Sequence, residues 1–520
     1  MSDNNSHQRP WRVLVTTMAA AGVLGMAGCT DENSGNPQDA WSENGEFVYE
    51  GNAPKDIAQE SASSYDDNVN GLISGSTLDS WINDWSGAKS SLSGVGGDLV
   101  ILQVSTGATD NNGTPDDDSD DETVYHYIDG SGDSAVRVYA IDTSRLVETR
   151  SNGVMASRSM VPTGSRMDGF LRDYDIDPTN DMVVWAMGAG GAGNAMRQGR
   201  GWYMMRYWGT PKENLAILNG GVNHSAVMSS NVVANTDQDT AITNADACDE
   251  NVTATCPPGG GNATVANLSE DNVALQATLQ DVMAVANGDV EDVFIWDARS
   301  EGEYMGTAFR TGGKQGHPKG AAFLSYSNLL MTDDADANNN NYGASYRYKP
   351  RIDLADYMLG REVDGARFQR SYSGSLGQLQ NGDIYSDGQT VITYCETTFR
   401  AMITGIASGV VLGQPTRFYD GAMTEWNHMA HIQTKDGEFL LPSQSPWRTD
   451  NGLSFFKYRD PADTERHPDA TLDDPYASNT NAIIEADRAY RSGGSGSGGG
   501  SGGDSGDDGG GAPVANPCGG

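Results

Sequence analysis

Lysine is scarce in this chain of 520 residues, and negative charge outweighs positive charge about two to one. The sequence has 8 Lys and 25 Arg against 71 Asp and Glu, so its formal net charge is −38. Nucleic acid and anionic lipid head groups carry the same sign of charge and would be repelled. The composition therefore excludes both as partners. A carboxylate-rich surface with few lysines is also what a protein working in high salt would show, although acidic loops hold part of the charge.

Long apolar runs are absent except for residues 13–27, which are too few to span a bilayer as a permanent helix. Arg9 and Arg12 precede this run, and Cys29 follows it directly after Ala-Gly. A positive start, a short apolar run and small residues at the cut are typical of a secretory signal. The ending resembles a bacterial lipoprotein signal, which predicts a signal peptide over 1–28, lipidation of Cys29 and a place in the cell envelope. That place would be the outer membrane, facing the periplasm or the cell surface. The alternative is an ordinary signal peptide with a spare thiol.

Cysteine is also rare, with five residues in the chain. Cys248 and Cys256 flank a polar segment and could close a small disulfide loop in an oxidising periplasm. Cys518 belongs to a glycine-rich tail, whereas Cys395 stands alone in the most apolar part of the sequence. Cys395 is therefore the candidate for chemistry.

The sequence calls for no metal and no cofactor. The acidic tract at 109–122 lacks the spacing of an EF-hand loop and is interpreted as a solvated loop. The histidines are scattered, and His428 with His431 are too few for a zinc site.

Polar stretches divide the chain into a signal peptide, two apolar segments and several connecting regions. The predicted boundaries after the signal peptide are a flexible tether at 29–70, a first domain at 71–229, a polar linker at 230–270, a second domain at 271–440, a C-terminal extension at 441–491 and a disordered Gly/Ser/Asp tail at 492–520.

The two apolar segments have the same internal order of strand, turn, helix, short strand and glycine. In the first, strands at 98–103 and 182–186 precede a helix at 195–208; in the second, a strand at 390–394 precedes a helix at 401–412. Apolar β-branched runs that alternate with helices indicate parallel strands covered on both faces. We therefore predict an α/β fold built as a tandem repeat.

Cys395 follows the strand at 390–394 and precedes the helix, at the sheet edge where open parallel sheets bind ligands. A loop that runs into a helix N-terminus directs backbone N–H groups inward and stabilises an anion, which favours a reactive thiolate. Arg400 adds a positive charge nearby. Taken alone, the cysteine is as consistent with a buried structural thiol.

Four short motifs extend this reading: Asp297-Ala-Arg299 after a strand, Gly-His-Pro-Lys-Gly-Ala at 316–321, the loop 395–400, and Tyr-Asp-Gly-Ala-Met-Thr-Glu-Trp at 419–426. Together they resemble the rhodanese (thiosulfate sulfurtransferase) family. The first segment is similar to the catalytically silent N-terminal repeat of two-domain members, with Ala186 or Met187 at the cysteine position. The resemblance implies tandem rhodanese-like domains, each a parallel sheet flanked by helices, the second catalytic.

The resemblance also implies roles. Cys395 would take a sulfane sulfur from an anionic donor, thiosulfate-like or mercaptopyruvate-like, and pass it to a thiol or cyanide-like acceptor. The persulfide would lie among the N–H groups of the loop, and two arginines would hold the donor. The implied donor and loop residues are Arg299, Glu396, Thr397, Thr398, Phe399, Arg400 and Ala401. A structural role is as reasonable for Asp297 and is expected for His317, Glu425 and Trp426.

Two residues depart from the family pattern. Thr398 stands where the family usually carries Gly, and its β-branched side chain resists a positive φ, so we expect a distorted loop. Glu396 puts a negative charge beside the nucleophile and opposes an anionic donor. About 60 residues between Tyr326 and Val391 exceed what a plain repeat needs and could cover the pocket.

Two other functions compete with the sulfurtransferase. A protein phosphatase is disfavoured, because its loop has five residues between Cys and Arg, whereas four lie between Cys395 and Arg400. The other alternative is a rhodanese-fold carrier of sulfur or a chalcogen oxyanion product, in an envelope respiratory or metalloid-handling system, that loads without turnover.

Overall fold

The structure, a computed structural model, describes residues 41–493 apart from 43, 105–106, 111–121, 237–262, 309–313, 335–342, 372–378, 382–384, 431–440 and 459–470. The predicted signal peptide and Cys29 lie outside the described residues, as do Cys248, Cys256, Cys518 and the tail from 494 onward. Within the described ranges, no helix combines the length and the apolarity needed to cross a bilayer.

Strands and helices alternate along the chain. The strands are β1 (Gly71–Ile73), β2 (Leu99–Val104), β3 (Gly107–Asp110), β4 (Glu122–Ile128), β5 (Val136–Ala140), β6 (Glu148–Ser151), β7 (Met155–Met160), β8 (Met182–Met187), β9 (Leu215–Gly221), β10 (Val232–Asn235), β11 (Gln276–Ala277), β12 (Val293–Asp297), β13 (Lys314–Pro318), β14 (Ala322–Phe323), β15 (Gln369–Ser371), β16 (Leu379–Asn381), β17 (Thr390–Tyr394), β18 (Thr416–Tyr419), β19 (Ser454–Tyr458) and β20 (Thr471–Leu472). The α-helices are α1 (Pro54–Ile57), α2 (Gly75–Asn83), α3 (Trp85–Lys89), α4 (Gly164–Asp173), α5 (Ala192–Tyr207), α6 (Leu279–Asn287), α7 (Glu301–Tyr304), α8 (Arg351–Met358), α9 (Phe399–Ile406), α10 (Ala422–His428) and α11 (Ala482–Arg491).

Two parallel sheets with the same strand order form the framework. The first is β1-β9-β8-β2-β5, and the second begins β11-β18-β17-β12-β14. All neighbouring pairs in these two sets are parallel. Numbered by chain order within each set, the strands run 1-5-4-2-3 in both. The predicted fold class, a tandem of parallel sheets flanked by helices, is confirmed.

The central strands of the first sheet are buried along their whole length. Every residue of β2, Leu99–Val104, and of β8, Met182–Met187, is buried. Continuous apolar strands of this kind occur where helices cover both faces of a parallel sheet. The alternation of apolar strands with helices, which predicted this class, therefore reflects burial on two sides.

One hydrophobic core continues from the first repeat into the second. It joins residues of α5, such as Met196 and Tyr203, to residues of α9, such as Met402 and Ile406. At Gly199 the two helices come so close that a Cβ atom would stand 2.9 Å from the Cβ of Met402. Real Cβ atoms essentially never approach so closely, so this contact requires glycine.

The end of the predicted tether is part of the fold. Ile57 in α1 is buried, and Gln59 and Ser61 donate backbone N–H groups to the carbonyls of Gly409 and Val411. These carbonyls belong to a π-helical turn, Ala407–Val411, that continues α9. A π-helical turn leaves carbonyls without their usual helical partners. The flexible segment therefore ends well before residue 70, because this stretch completes the hydrogen bonds of the second repeat.

The C-terminal extension is likewise integrated into both repeats. β19 pairs antiparallel with β13 of the second repeat, and β20 pairs antiparallel with β7 of the first. In α11, the Asp487 carboxylate accepts hydrogen bonds from Arg150 of β6 at 2.6 and 2.9 Å and from Tyr207 of α5 at 2.7 Å. This extension fastens the two repeats together.

The extra residues of the second repeat cover the first repeat. β15 and β16 extend the second sheet as an antiparallel edge, and α8 packs beside it. The stretch around 343–348 lies on the carboxyl edge of the first sheet instead. Ser345 accepts the backbone N–H of Gly221 at 3.0 Å, and Asn219 accepts that of Tyr348 at 2.7 Å. The expected cover therefore includes the silent repeat.

We expect Asp487→Ala to lower the free energy of unfolding by roughly 3–5 kcal/mol, because it leaves the Arg150 guanidinium buried without its carboxylate. Asp364→Ala is the matched control, since Asp364 pairs with Lys349 but its side chain is 74% exposed. Removing such a surface pair should cost at most about 1 kcal/mol. Urea unfolding of both variants checks this, and equal losses would contradict the role of the buried pair.

Candidate functional site

Cys395 lies where β17 ends, at the carboxyl edge of the second parallel sheet. It is a fully buried thiol, packed with Ala298 and Ala401 and covered on one side by the half-buried Tyr326. Three residues separate it from Phe399, the first residue of α9. The strand end, the turn and the helix start follow the sequence prediction, although α9 begins two residues earlier than expected.

Thr398 adopts the left-handed conformation that its β-branched side chain disfavours, with φ +68° and ψ −13°. The expectation that this residue would distort the loop is therefore wrong. Its hydroxyl donates to the carbonyl oxygens of Asp420, at 2.7 Å, and Tyr419, at 3.1 Å. These contacts tie the loop to the end of β18 and offset the strain of the positive φ.

The start of α10 holds the first half of the loop. Met423 donates its backbone N–H to the carbonyl of Cys395 at 3.0 Å. Thr424 donates both its N–H, at 3.0 Å, and its hydroxyl, at 2.8 Å, to the carbonyl of Glu396. The carbonyls beside the thiol are therefore fixed by a second helix start. The sequence analysis assigned no role to Thr424, whose only signal was its place in the 419–426 motif.

Arg400 forms a buried bidentate ion pair with Glu303 of α7, with N–O distances of 2.6 and 2.8 Å. Burial alone raises the pKa of the Glu303 carboxyl, but hydrogen bonding and charge from Arg400, with Arg299 nearby, lower it well below its usual range. Glu303 also forms a capping box with Ser300, which starts α7. The sequence showed this Ser-x-x-Glu pattern but not the arginine partner.

Arg299 is enclosed by acceptors at the end of β12. Its guanidinium contacts both oxygens of Asp297 at 2.7–3.2 Å and donates to Gln315 at 2.9 Å. Asp297 also accepts the Tyr394 hydroxyl at 2.6 Å. Asp297 thus orders both strand ends, while Arg299 lies 3.7 Å from the Glu396 carboxylate. Burial opposes the charge of Arg299, but Asp297 raises its pKa further above the ordinary value.

The predicted site residues are together, but their charges are already matched. Two guanidinium groups, of Arg299 and Arg400, face three carboxylates, of Asp297, Glu303 and Glu396. An anionic donor would have to displace a carboxylate from one of the arginines. The other loop residues, Thr397 and Ala401, are buried beside the thiol, and Phe399 is half-buried against the shared core.

His317 and Trp426 are structural, as expected. The His317 ring donates from Nδ1 to the carbonyl of Tyr304 at 2.8 Å and stacks on the Tyr304 ring at 3.6 Å. Burial lowers the pKa of His317 to about 4, so its ring is neutral at neutral pH. Trp426 donates its indole N–H to Ser454 of β19 at 2.8 Å. Both side chains fasten the C-terminal extension.

Glu425 is buried at the boundary between the repeats. Its carboxylate accepts from the Asn152 side chain of the first repeat at 2.5 Å. Burial raises the pKa of Glu425 to about 7, although hydrogen bonds from Tyr419 and Asn152 pull it down, while the charge of Asp420 raises it further. Glu425 closes the fold, as expected, and it also titrates near neutral pH.

The corresponding loop of the first repeat holds no thiol and is covered. Counting back four residues from the start of α5 reaches Gly188, as the same count from α9 reaches Cys395; the expected positions were Ala186 or Met187. The backbone of Ala344 lies against Gly190, where a Cβ atom would meet its carbonyl at 2.7 Å. The space that a substrate would need is therefore filled by the second repeat.

Within the described residues, no three His, Cys, Asp or Glu side chains gather in a way that could hold a metal ion. The chemistry available at this site is therefore that of a buried thiol, its loop and the paired charges around it.

No known family model matches the sequence, and no curated protein is significantly similar to it. Three solved structures resemble the chain weakly. An EanB variant in complex with ergothioneine is 14% identical, with a TM-score of 0.43 over 71% of this chain and 70% of that one. Tum1 from Saccharomyces cerevisiae is 14% identical, with a TM-score of 0.42 over 69% and 95% of the two chains. Another EanB variant, a cysteine persulfide in a tetrahedral intermediate state with ergothioneine, is 16% identical, with a TM-score of 0.40 over 69% and 68%. Likenesses of this size carry no function to this chain.

Glu425→Gln should change how stability depends on pH. A carboxyl whose folded pKa is raised binds more protons in the folded than in the unfolded protein, so stability falls as pH rises between its two pKa values. We expect Glu425 to cost about 2–4 kcal/mol between pH 4.5 and pH 7.5. Urea unfolding across this range should show a steeper decline for the parent than for Glu425→Gln. Parallel curves would contradict the raised pKa.

Proposed function

We propose that the protein is a sulfurtransferase that carries a sulfane sulfur on Cys395. The observation that carries the proposal is the position of this thiol, at the end of a parallel strand and inside a tight loop that begins a helix. Helix N-termini stabilise thiolates, which are the nucleophilic form of cysteine. The motifs around 297–299, 316–321 and 419–426 support the same reading, because their resemblance to rhodaneses covers the residues that enclose the thiol.

The reaction has two balanced steps. The Cys395 thiolate attacks the outer sulfur of the donor, so that a bond forms between Sγ and that sulfur. The bond between the sulfur and the rest of the donor breaks, and its electron pair leaves with the donor, as sulfite when the donor is thiosulfate. A nucleophilic acceptor then attacks the outer sulfur of the persulfide, and the electron pair returns to Sγ. With cyanide as the acceptor, the product is thiocyanate.

The charges around the loop set a condition on the donor. A thiosulfate-like or mercaptopyruvate-like donor is anionic and has to compete with Glu303 for Arg400, or with Asp297 for Arg299. Bidentate pairs between Arg and a carboxylate are among the stronger polar contacts in proteins. We therefore propose that anionic donors bind weakly, and that their affinity depends on how readily the Arg400–Glu303 pair opens.

A carrier that loads once without turnover is the second candidate. Two features favour it: Cys395 is fully buried, and both neighbouring arginines are held by carboxylates. A closed thiol of this kind is better suited to keeping a sulfur atom than to releasing it quickly. Stoichiometric loading of Cys395 without continuing release of product would identify the carrier.

Envelope attachment through a lipid on Cys29 belongs to the same proposal. It rests on the N-terminal sequence alone, since residues 1–40 are outside the described part of the chain. The donor and acceptor would then be small molecules of the envelope.

Cys395→Ser should abolish sulfur transfer, because a hydroxyl cannot form a persulfide. The measurement is steady-state thiocyanate formation from thiosulfate and cyanide, together with peptide mass spectrometry that detects one added sulfur on Cys395. The matched control carries Ser at Cys248, Cys256 and Cys518 and should keep its activity. Turnover that persists in Cys395→Ser would end the mechanism, and loading without turnover in the parent would favour the carrier.

Removing negative charge at the loop should help an anionic donor. We expect Glu396→Gln to raise kcat/KM for thiosulfate by roughly a few-fold, since it removes a charge repulsion of about 1 kcal/mol. Arg400→Ala should instead raise KM, because the donor loses its cation. Glu362→Gln, in an exposed pair with Arg367, is the control and should change neither value. A decrease in kcat/KM with Glu396→Gln would show that this carboxylate assists the reaction.

A further inference from the structure

The first repeat has no thiol of its own, but one of its arginines is bonded to the loop that holds Cys395. Arg200 of α5 is fully buried. It follows Gly199, the residue at which α5 comes closest to α9. Its guanidinium therefore enters the second repeat at the helix that begins just after the cysteine loop.

Arg200 makes a bidentate ion pair with Asp420, which directly follows β18. One contact is short, and the other, between Nη2 and Oδ2, is 3.1 Å. Arg200 also donates to the carbonyls of Ser159, at 2.8 Å, and Leu146, at 3.3 Å, so its position is fixed by the first repeat. Asp420 accepts a further hydrogen bond from the backbone N–H of Val161 at 2.7 Å. The hydrogen bonds to this carboxylate thus come from the first repeat.

Asp420 in turn holds the loop. Its carbonyl oxygen accepts the Thr398 hydroxyl at 2.7 Å, and Thr398 is the residue forced into the left-handed region. A β-branched residue keeps a positive φ only where its surroundings impose it. The chain of contacts therefore runs from Arg200 through Asp420 to Thr398, three residues from the thiol.

We propose that Arg200 is a positioning residue for Cys395: the silent repeat holds the cysteine loop in its closed, left-handed form through the Arg200–Asp420 ion pair. This inference deepens the proposed function and assigns the first repeat a part in it. Arg200 does not touch the sulfur, and it acts through Asp420 and Thr398.

The test is the rate at which iodoacetamide alkylates Cys395 in the native full-length protein, measured by peptide mass spectrometry. Arg200→Lys keeps the charge but loses the bidentate contact, so the loop should loosen and the rate should rise about tenfold, the effect of one good hydrogen bond. Arg150→Lys is the matched control, because it weakens an equally buried Arg–Asp pair that does not contact the loop. Its rate should stay within about twofold of the parent, a change small beside one hydrogen bond.

Thr398→Gly separates positioning from general destabilisation. Glycine adopts a positive φ without a tether, so in this background Arg200→Lys should change the alkylation rate by less than about twofold. An effect of the same size in both backgrounds, or the same rise in Arg150→Lys, would overturn the proposal. If Arg200→Lys does not fold, Arg200→Met with Asp420→Asn removes both buried charges and should give the same pair of results.

Alkylation also keeps this inference apart from the sulfurtransferase proposal. If the parent transfers no sulfur from any donor, the alkylation rates still decide whether Arg200 positions the loop. If the parent does transfer sulfur, Arg200→Lys should lower kcat while Thr398→Gly restores much of the loss. A protein with activity but with alkylation rates that do not respond to Arg200 would keep its function and lose this mechanism.

Discussion

The close packing of α5 against α9 determines where the thiol lies. Gly199 lets the two helices approach until a Cβ atom at that position would collide with Met402. The same contact joins the two repeats into one hydrophobic core and brings Arg200 to Asp420. Because α9 begins directly after the cysteine loop, a shift of either helix would move the loop as well. The second repeat alone therefore does not define its own site.

The two repeats keep one framework but differ at the carboxyl edges of their sheets. Both sheets have the same strand order, which indicates that the framework is the part under common constraint. In the first repeat, the loop at Gly188 contains no thiol, and the backbone around Ala344 fills the space above it. In the second, the equivalent space holds Cys395. Covering the first site removes a competing pocket and adds contacts between the repeats.

The sequence predicted the framework and the thiol better than the contacts around them. The strand at 390–394 was predicted with its observed bounds, because a run of buried β-branched residues has few alternatives. The pairing of Arg400 with Glu303 joins residues 97 positions apart, and periodicity carries no information about it. The same holds for residues 53–61, which are too short and polar to signal burial and fold only because the π-helical turn offers them carbonyls.

Burial of the thiol and pairing of the arginines have one physical consequence. A donor anion that replaces the Glu303 carboxylate on Arg400 would free the residue that caps α7, since Glu303 accepts from Ser300 as well as from Arg400. Donor binding and opening of the site would then be one event, because the contact that recognises the donor is the contact that keeps α7 in place. Thr398 and Asp420 lie on the opposite side of this exchange and do not depend on Glu303. On the proposed function, the loop can therefore keep its geometry through Arg200 while the side facing Glu303 opens to the donor.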